Sequence, residues 1–118
     1  MQSRRHQRVR ELLMRAIGEL IRRELPISEA GVVTVTDVGL SGDLHSATVF
    51  VSILGAEAQQ QRGLTLLRKE SKRLQGLVGH SVVLKYTPRL RFELDDSVER
   101  GNRVLKILEE LEQTLLPE

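Results

Sequence analysis

Residues 85–101, KYTPRLRFELDDSVERG, restrict the possible folds more than any other stretch of the chain. Charged and apolar side chains alternate over Arg89–Leu94, so one face of a half-buried strand carries Leu90, Phe92 and Leu94. Pro88 has no backbone N–H to donate to a neighbouring strand, and it therefore separates this strand from a second β-rich run at 82–86. The stretch predicts a strand that is interrupted by proline.

The residues after this strand have the composition of a helix start. With Asp96 as the N-cap, Glu99 falls at the third helical position and completes an acidic variant of the capping box. Apolar residues at helical spacing continue from Ser97 to about Leu116, and the polar side of this segment carries Glu109, Glu110 and Glu112. A last helix with an exposed acidic side is therefore predicted.

The size of the chain predicts one domain, spanning residues 1–118. With 118 residues, of which 40% are hydrophobic and 29% charged, it is large enough for a single core but not for two. No cysteine is present, which excludes disulfides and thiolate chemistry. No apolar run has the length of a signal peptide or a membrane span, so we expect a cytoplasmic protein without a membrane partner.

The formal net charge of +2 conceals an uneven distribution of charge along the chain. Residues 1–91 contain 15 of the 18 Lys and Arg residues but only 8 of the 16 Asp and Glu residues. A polyanion such as RNA should therefore bind the first three quarters of the chain. Arginine-rich surface helices also occur in proteins that bind no nucleic acid, and charge alone leaves both interpretations open.

The first helix is predicted over residues 4–25, where Pro26 ends it. Its apolar residues recur at spacings of three and one, and they form one stripe: Val9, Leu12, Leu13, Ala16, Ile17, Leu20 and Ile21. The opposite side carries a row of arginines, namely Arg4, Arg8, Arg15 and Arg22. Glu11 and Glu19 lie beside this row, so it is either a solvated surface with ion pairs or a binding surface for phosphates.

A hairpin is predicted over residues 31–54. The first strand runs from Gly31 to Leu40 and the second from His45 to Leu54, with the turn at 41–44. In the first strand Val33 and Val35 alternate with threonines. One face of the second strand carries Ala47, Val49, Val51 and Ile53, which makes it the apolar face.

A second long helix is predicted over residues 57–79, with Gly79 as its C-terminal cap. Its buried stripe is expected to contain Leu64, Leu67, Ser71, Leu74 and Val78. Basic residues occupy the other side, and we predict that they contact RNA: Arg62, Arg68, Lys69, Lys72 and Arg73. The four letters GLVG at 76–79 match the GxxG pattern of a KH-domain loop, but the apolar residues at its centre favour a helix.

The sequence of residues 88–101, PRLRFELDDSVERG, closely resembles the ribosome-binding factor A family of bacteria. The family pattern is P-x-L-x-F, a short acidic stretch and S-x-x-x-G, and its positions are filled here in order by Pro88, Leu90, Phe92, Asp95, Asp96, Ser97 and Gly101. The segment 35–52 is also similar to the family, in its V-x-x-V-x-L, S-x-D-L and A-x-V-x-V-S succession. The resemblance extends over nearly the whole chain.

The resemblance implies an α+β fold of the type II KH-like class. Its expected order is helix, strand, strand, kinked helix, strand and helix, with a three-stranded sheet and the helices packed on one face. In the family an interhelical kink with an Ala-x-Gly motif replaces the GxxG loop. Glu70-Ser71-Lys72 stands at that position here, so the chain either kinks there without the motif, has a straighter helix or bends near Gly76.

The resemblance also implies a function. Members are non-enzymatic assembly factors that bind the free small (30S) ribosomal subunit, support late maturation and 5′-end processing of 16S rRNA, and matter most in the cold. A ribosome-associated GTPase assists their release. We accordingly expect the small subunit and its 16S rRNA as partners, a GTPase for release, a monomeric protein and no cofactor.

Other classes of function find less support in the residues. His6, His45 and His80 lie far apart in the chain without metal-ligand spacing, so neither a metal site nor a catalytic site is predicted. One tyrosine and two phenylalanines favour recognition of RNA shape and phosphates over base stacking. A KH-like module with a different RNA target and a protein-interaction domain that uses the acidic last helix remain as alternatives.

Overall fold

Seven helices and strands follow one another between residues 4 and 94 in the computed structural model, which describes residues 3–95, 109 and 111. In chain order they are α1 (Arg4–Glu24), α2 (Ile27–Ala30), β1 (Val33–Leu40), β2 (Ser46–Ile53), α3 (Glu57–Lys69), α4 (Ser71–Ser81) and β3 (Arg89–Leu94). The order agrees with the α+β, KH-like arrangement that the resemblance implied, with a break between α3 and α4.

Helix α1 agrees with its prediction almost to the residue. Ser3 is its N-cap, and the Ser3 hydroxyl accepts a hydrogen bond from the His6 N–H at 3.2 Å. Leu25 has an extended backbone because a following proline disfavours the helical conformation. The predicted stripe is buried at five of its seven positions, Val9, Leu13, Ile17, Leu20 and Ile21, whereas Leu12 is 46% exposed.

The short helix α2 was not predicted. Pro26 ends α1, and it is also the N-cap of α2, a position that its fixed φ suits. Gly31 follows with a φ of 79°, in the region that favours glycine. A Cβ at Gly63 would lie 2.5 Å from the Ala30 carbonyl oxygen, so glycine at this position allows α3 to pack closely against α2.

The hairpin of β1 and β2 is antiparallel, as predicted, and it contains one β-bulge. The pairing shifts between Val35 and Asp37, so that Val38 rather than Asp37 becomes buried. Asp37 Oδ1 accepts hydrogen bonds from Arg10 Nε at 2.9 Å and Arg10 Nη2 at 2.6 Å. This pair fixes the bulge against α1.

Strand β2 lies at the centre of the three-stranded sheet, with β1 antiparallel on one side and β3 parallel on the other. The helices cover the face that carries the apolar residues predicted for β2 and β3: Ala47, Val49, Val51, Ile53, Leu90 and Phe92, all of them buried. Phe92 pairs with Val49 and is 1% exposed. The alternation of residues therefore identified the inner face of these two strands correctly.

Two predictions in this region are wrong. Residues 82–88 form no strand, and Val83 is fully exposed, because the first strand that pairs with β2 on this side begins at Arg89. Gly79 does not end the helix, since α4 continues to Ser81, where the Val82 N–H still bonds to the Val78 carbonyl at 2.9 Å. The GLVG letters lie entirely within this helix.

The break between α3 and α4 lies at Glu70. Its φ of −91° and ψ of 5° depart from helical values but are open to any L-residue, so no glycine is required. The Glu70 N–H bonds to the Leu66 carbonyl and the Leu74 N–H bonds to the Glu70 carbonyl, both at 2.9 Å. The chain therefore breaks at the position where the resemblance placed the Ala-x-Gly motif, and the alternatives of a straighter helix and a bend near Gly76 were wrong.

The predicted last helix lies outside the described residues, apart from Glu109 and Leu111, which have helical backbone and are exposed. The predicted cap at Asp96 and the acid at Glu99 also lie outside them. Among the described residues, no helix combines the length and the apolar character that crossing a bilayer would require.

Candidate nucleic-acid interface

The arginine row of α1 is exposed along its whole length. Arg4, Arg8, Arg15 and Arg22 lie opposite the buried stripe and form no ion pair with any other described residue. Glu11 and Glu19, which could have neutralised the row, form no ion pair with it in the described part of the chain. No other described residue therefore competes with an anion for this row.

Two further arginines of α1 are engaged in contacts within the fold. Arg10 holds Asp37 at the bulge of β1, and Arg23 Nε donates to Glu24 at 3.2 Å. Of the seven arginines of α1, Arg10 and Arg23 have partners, and the other five have none among the described residues. The predicted row contains four of these five, and Arg5 is the fifth.

Lys69 and Lys72 lie on either side of the break at Glu70. Both are exposed, and neither has an ion-pair partner within residues 3–95. Because the chain bends between them, the two ammonium groups belong to different helices although they are three residues apart. Of the basic residues predicted on α3 and α4, Lys69 and Lys72 are best suited to contact phosphates.

Arg68 and Arg62, predicted to contact RNA, have partners within the fold. Arg68 Nη2 donates to Glu93 Oε2 at 3.1 Å, and its Nε donates to the Phe92 carbonyl at 3.3 Å, which ties α3 to β3. Arg62 Nη2 donates to Gln59 Oε1 at 3.0 Å. Since Gln59 carries no charge, Arg62 retains its full charge, whereas the charge of Arg68 is partly neutralised.

Arg73 lies between two carboxylates. Its Nε donates to Glu70 Oε2 and its Nη1 donates to Glu24 Oε1, each at 2.8 Å. These contacts, with the Glu70 hydrogen bond foremost, raise the pKa of the Arg73 guanidinium. Hydrogen bonds from Arg23 and then Arg73 lower the pKa of Glu24 below its ordinary value of 4.5. Arg73 therefore fastens the break to the end of α1 and contributes less to an RNA surface than was predicted.

The geometry therefore supports recognition of phosphates by unpaired cations. Of the nine arginines and lysines predicted to bind RNA, six are exposed and form no ion pair or hydrogen bond within the described residues: Arg4, Arg8, Arg15, Arg22, Lys69 and Lys72. No group of three or more potential metal ligands occurs among the described residues. The arrangement attracts a polyanion through its charge.

Some candidate residues were missed at the sequence level. Lys85 and Arg89 are exposed cations just before β3 and at its first residue. The alternation in RLRFEL already indicated that Arg89 lies on the outer face of the strand. The position of Arg89 next to His45 and Tyr86 depends on the parallel pairing with β2, which no local pattern reveals.

Comparison with known proteins identifies the family. The family model of ribosome-binding factor A matches residues 5–108. Ribosome-binding factor A of Opitutus terrae is 38% identical over 115 residues, which cover 98% of this chain and 93% of that protein. The crystal structure of ribosome-binding factor A from Thermus thermophilus superposes with a TM-score of 0.67 at 26% identity, over 75% of this chain and 93% of that one.

A second Thermus thermophilus structure is also similar. It is a homology model of ribosome-binding factor A fitted into a cryo-EM map of a complex with the 30S subunit, and it superposes with a TM-score of 0.64 at 28% identity, over 74% of this chain and 91% of that one. The residues matched by the family model include nearly all of α1, the break between α3 and α4, and strand β3. The chain belongs to the ribosome-binding factor A family.

Proposed function

We propose that this protein binds the free small ribosomal subunit through the exposed cations of α1 and of the α3–α4 break. The observation that carries this proposal is a set of six cations without an ion-pair partner among the described residues, on a fold shared with a relative fitted into a 30S complex. The six are Arg4, Arg8, Arg15, Arg22, Lys69 and Lys72. Each phosphate contact releases a condensed counterion, so that several together supply useful affinity without reading a sequence.

The biological role that we propose is that of a non-enzymatic assembly factor. Bound to 16S rRNA late in maturation, the protein would hold one RNA conformation, support processing of the 5′ end and leave before translation begins. We propose further that it acts as a cytoplasmic monomer of one domain, that its role is greatest in the cold, and that a ribosome-associated GTPase assists its release. The family name, which specifies binding to the ribosome, supports this role.

Sedimentation tests the central claim. Tagged protein is mixed with free small subunits, with large subunits and with whole ribosomes, and each mixture is separated on a sucrose gradient. We expect the protein to travel with free small subunits and not with the other two particles. A protein that binds isolated RNA but none of the particles would instead be a KH-like module with another target, and one that binds only protein components would be an interaction domain.

A pair of variants tests the surface. Lys72→Ala and Arg91→Ala each remove one exposed cation, the first from the proposed surface and the second from the outer face of β3. We expect Lys72→Ala to weaken small-subunit binding and Arg91→Ala to leave it nearly unchanged. Equal losses from both variants would mean that overall charge, and not this surface, determines binding.

A further inference from the structure

A groove of about 320 Å³ lies beside the first residues of β2 and β3. It is lined by His45, Gln75, Tyr86, Thr87 and Arg89. The sheet fixes two of these residues, because the Arg89 N–H donates to the His45 carbonyl at 2.8 Å and so extends the parallel pairing of β2 with β3. Its volume falls within the range of small-ligand pockets, about 300–1,000 Å³.

Two aromatic rings form one side of the groove. The rings of His45 and Tyr86 meet edge to face, with centroids 4.8 Å apart and an interplanar angle of 67°. Tyr86 is nevertheless 54% exposed, and the His45 side chain is 56% exposed. The rings thus restrain one another while both remain open to a planar ligand.

The loop that carries Tyr86 is held in place by α4. Thr87 packs against Gly79, where a Cβ would lie only 2.9 Å from the Thr87 hydroxyl oxygen. A larger residue at this position of α4 would force the Thr87 hydroxyl to move. Gly79 therefore allows the Thr87 side chain to lie close to the helix.

Cations, hydrogen-bond donors and one carboxylate lie near the rings, with Asp43 Oδ2 3.8 Å from His45 Nδ1. Lys85 Nζ lies 5.5 Å from the centroid of the Tyr86 ring, and Arg89 lines the groove itself. Neither cation forms an ion pair with any other described residue. Gln75 also lines the groove, and only its Oε1 is engaged, in a long contact of 3.4 Å with the Leu90 N–H.

A second groove, of about 510 Å³, shares Tyr86 with the first. Its lining also includes Lys85 and Asp43 and, at the start of α1, Arg5 and His6. Cations thus line both grooves that Tyr86 borders, Arg5 and Lys85 in the second and Arg89 in the first. Cations beside exposed rings are the arrangement by which proteins bind single-stranded nucleic acid.

We infer that His45 and Tyr86 form a stacking site for one unpaired RNA nucleotide, with Lys85 and Arg89 contacting the phosphates next to it. This inference rests on the proposed function, because it takes RNA as the ligand, but it names a contact separate from the helix surfaces. The bases of an RNA duplex are stacked inside it and cannot reach an exposed ring, so the nucleotide has to be unpaired. The scarcity of aromatic residues argues against an extended platform, whereas a single nucleotide needs only one pair of rings.

The composition of the chain supplies a direct probe of this site. Tyr86 is the only tyrosine and there is no tryptophan, so the intrinsic fluorescence of the protein comes from the proposed stacking site alone. The protein is titrated with single-stranded hexa-adenylate and, separately, with a fully paired RNA duplex of similar phosphate number, while fluorescence anisotropy of end-labelled RNA measures binding. N-acetyl-tyrosinamide serves as the control for light absorbed by the RNA.

We expect the single strand to quench Tyr86 in a saturable way and the duplex to bind without quenching. Tyr86→Ala should weaken single-strand binding roughly 5- to 150-fold, the range measured for loss of one base stack, without changing the salt dependence. Tyr86→Phe should retain most of the affinity, and Arg89→Ala should lower the salt slope by about 0.7. Leu54→Ala, a change at another exposed apolar residue, should have no effect on affinity.

Three results would overturn the inference: binding of the single strand without quenching, equal quenching by the duplex, or undiminished single-strand affinity in Tyr86→Ala. If Tyr86→Ala weakens binding to small subunits but not to the single strand, the ring contacts a ribosomal protein and the inference is also wrong. The proposed function is tested separately, by whether the parent protein sediments with small subunits and whether Lys72→Ala and Arg91→Ala differ in binding.

Discussion

Arg73 on α4 donates from Nη1 to Oε1 of Glu24 at the end of α1 over 2.8 Å, although the two residues are 49 positions apart in the sequence. Arg73 also binds Glu70, so one guanidinium joins the break between α3 and α4 to a different helix. The Ala-x-Gly motif is absent at this break, where Arg73 instead forms ion pairs with Glu70 and Glu24. This relationship has consequences for both stability and RNA binding.

The first prediction concerns pH. The pKa of Glu24 is lowered in the folded protein by Arg23 and Arg73, so its stabilising contribution is complete above the unfolded pKa and disappears as the pH falls through the folded value. We therefore expect Glu24→Gln to be less stable than the parent protein near neutral pH. The difference in free energy of unfolding should begin to shrink near the ordinary pKa of 4.5 and vanish below the lowered pKa of the folded state. Urea unfolding at a series of pH values measures the difference in free energy of unfolding between the two proteins.

Glu11→Gln is the matched control for this prediction. Glu11 lies on the same helix and is exposed, but it forms no ion pair with the other described residues. The difference in free energy of unfolding between Glu11→Gln and the parent protein should not change on acidification. A Glu24→Gln deficit that stays constant down to the lowest pH would mean that lost packing, and not charge, destabilises the variant.

The second prediction concerns the salt dependence of RNA binding. Lys69→Ala and Lys72→Ala each remove an unpaired cation, so each should lower the slope of log K against log salt by about 0.7–0.9. Arg68→Ala should lower it less, because Glu93 already neutralises part of that charge. Filter binding to small subunits at several salt concentrations supplies the slopes. If the three variants have the same slope as the parent, phosphates do not contact this face.

The third prediction concerns the core. Phe92 is 1% exposed and packs beneath the helices, so Phe92→Ala should reduce the free energy of unfolding by about 3–5 kcal/mol. Phe50 provides the matched control, since it lies on β2 with its side chain on the other face of the sheet and is only partly buried. Phe50→Ala should be clearly less destabilising in thermal or urea unfolding. Equal losses would contradict the assignment of the two faces.

The sequence predicted those parts of the fold that depend on local periodicity. The alternation around Phe92 and the helical spacing of Leu13 and Ile17 identified buried faces correctly, because burial of one face imposes a period on the residues themselves. The β-rich run at 82–86 was misleading, since a strand also needs a partner and none is available before Arg89.

Contacts between distant residues could not be predicted in the same way. The bonds from Arg73 to Glu24 and from Arg68 to Glu93 depend on how the helices cross one another and the sheet, which no local pattern encodes. The exposed row of α1 was predicted as a candidate site because its members share one face of a single helix. In α3 and α4, by contrast, a basic residue with a structural ion pair has the same sequence pattern as one without.

The last prediction concerns Glu70, which occupies the first position of the missing motif. Its carboxylate binds Arg73 at 2.8 Å, so Glu70→Ala should release Arg73 from one of its two partners and raise the net positive charge of the α3–α4 surface. We expect tighter binding to small subunits and a salt slope that is steeper by up to about 0.9. Lys72→Gly should weaken binding, and the double variant, which restores alanine and glycine at these positions, should bind about as tightly as the parent because the two charges cancel.

The kink already forms without glycine, and for this reason we expect no additional affinity from the restored backbone. The glycine should instead lower the free energy of unfolding by about 1 kcal/mol, because it lies in the first turn of α4 and has a poor helix propensity. Binding isotherms and urea unfolding of the parent, both single variants and the double variant separate these effects. If the double variant binds more tightly than Glu70→Ala alone, close approach of RNA to the backbone at residue 72, and not charge, determines affinity at this site.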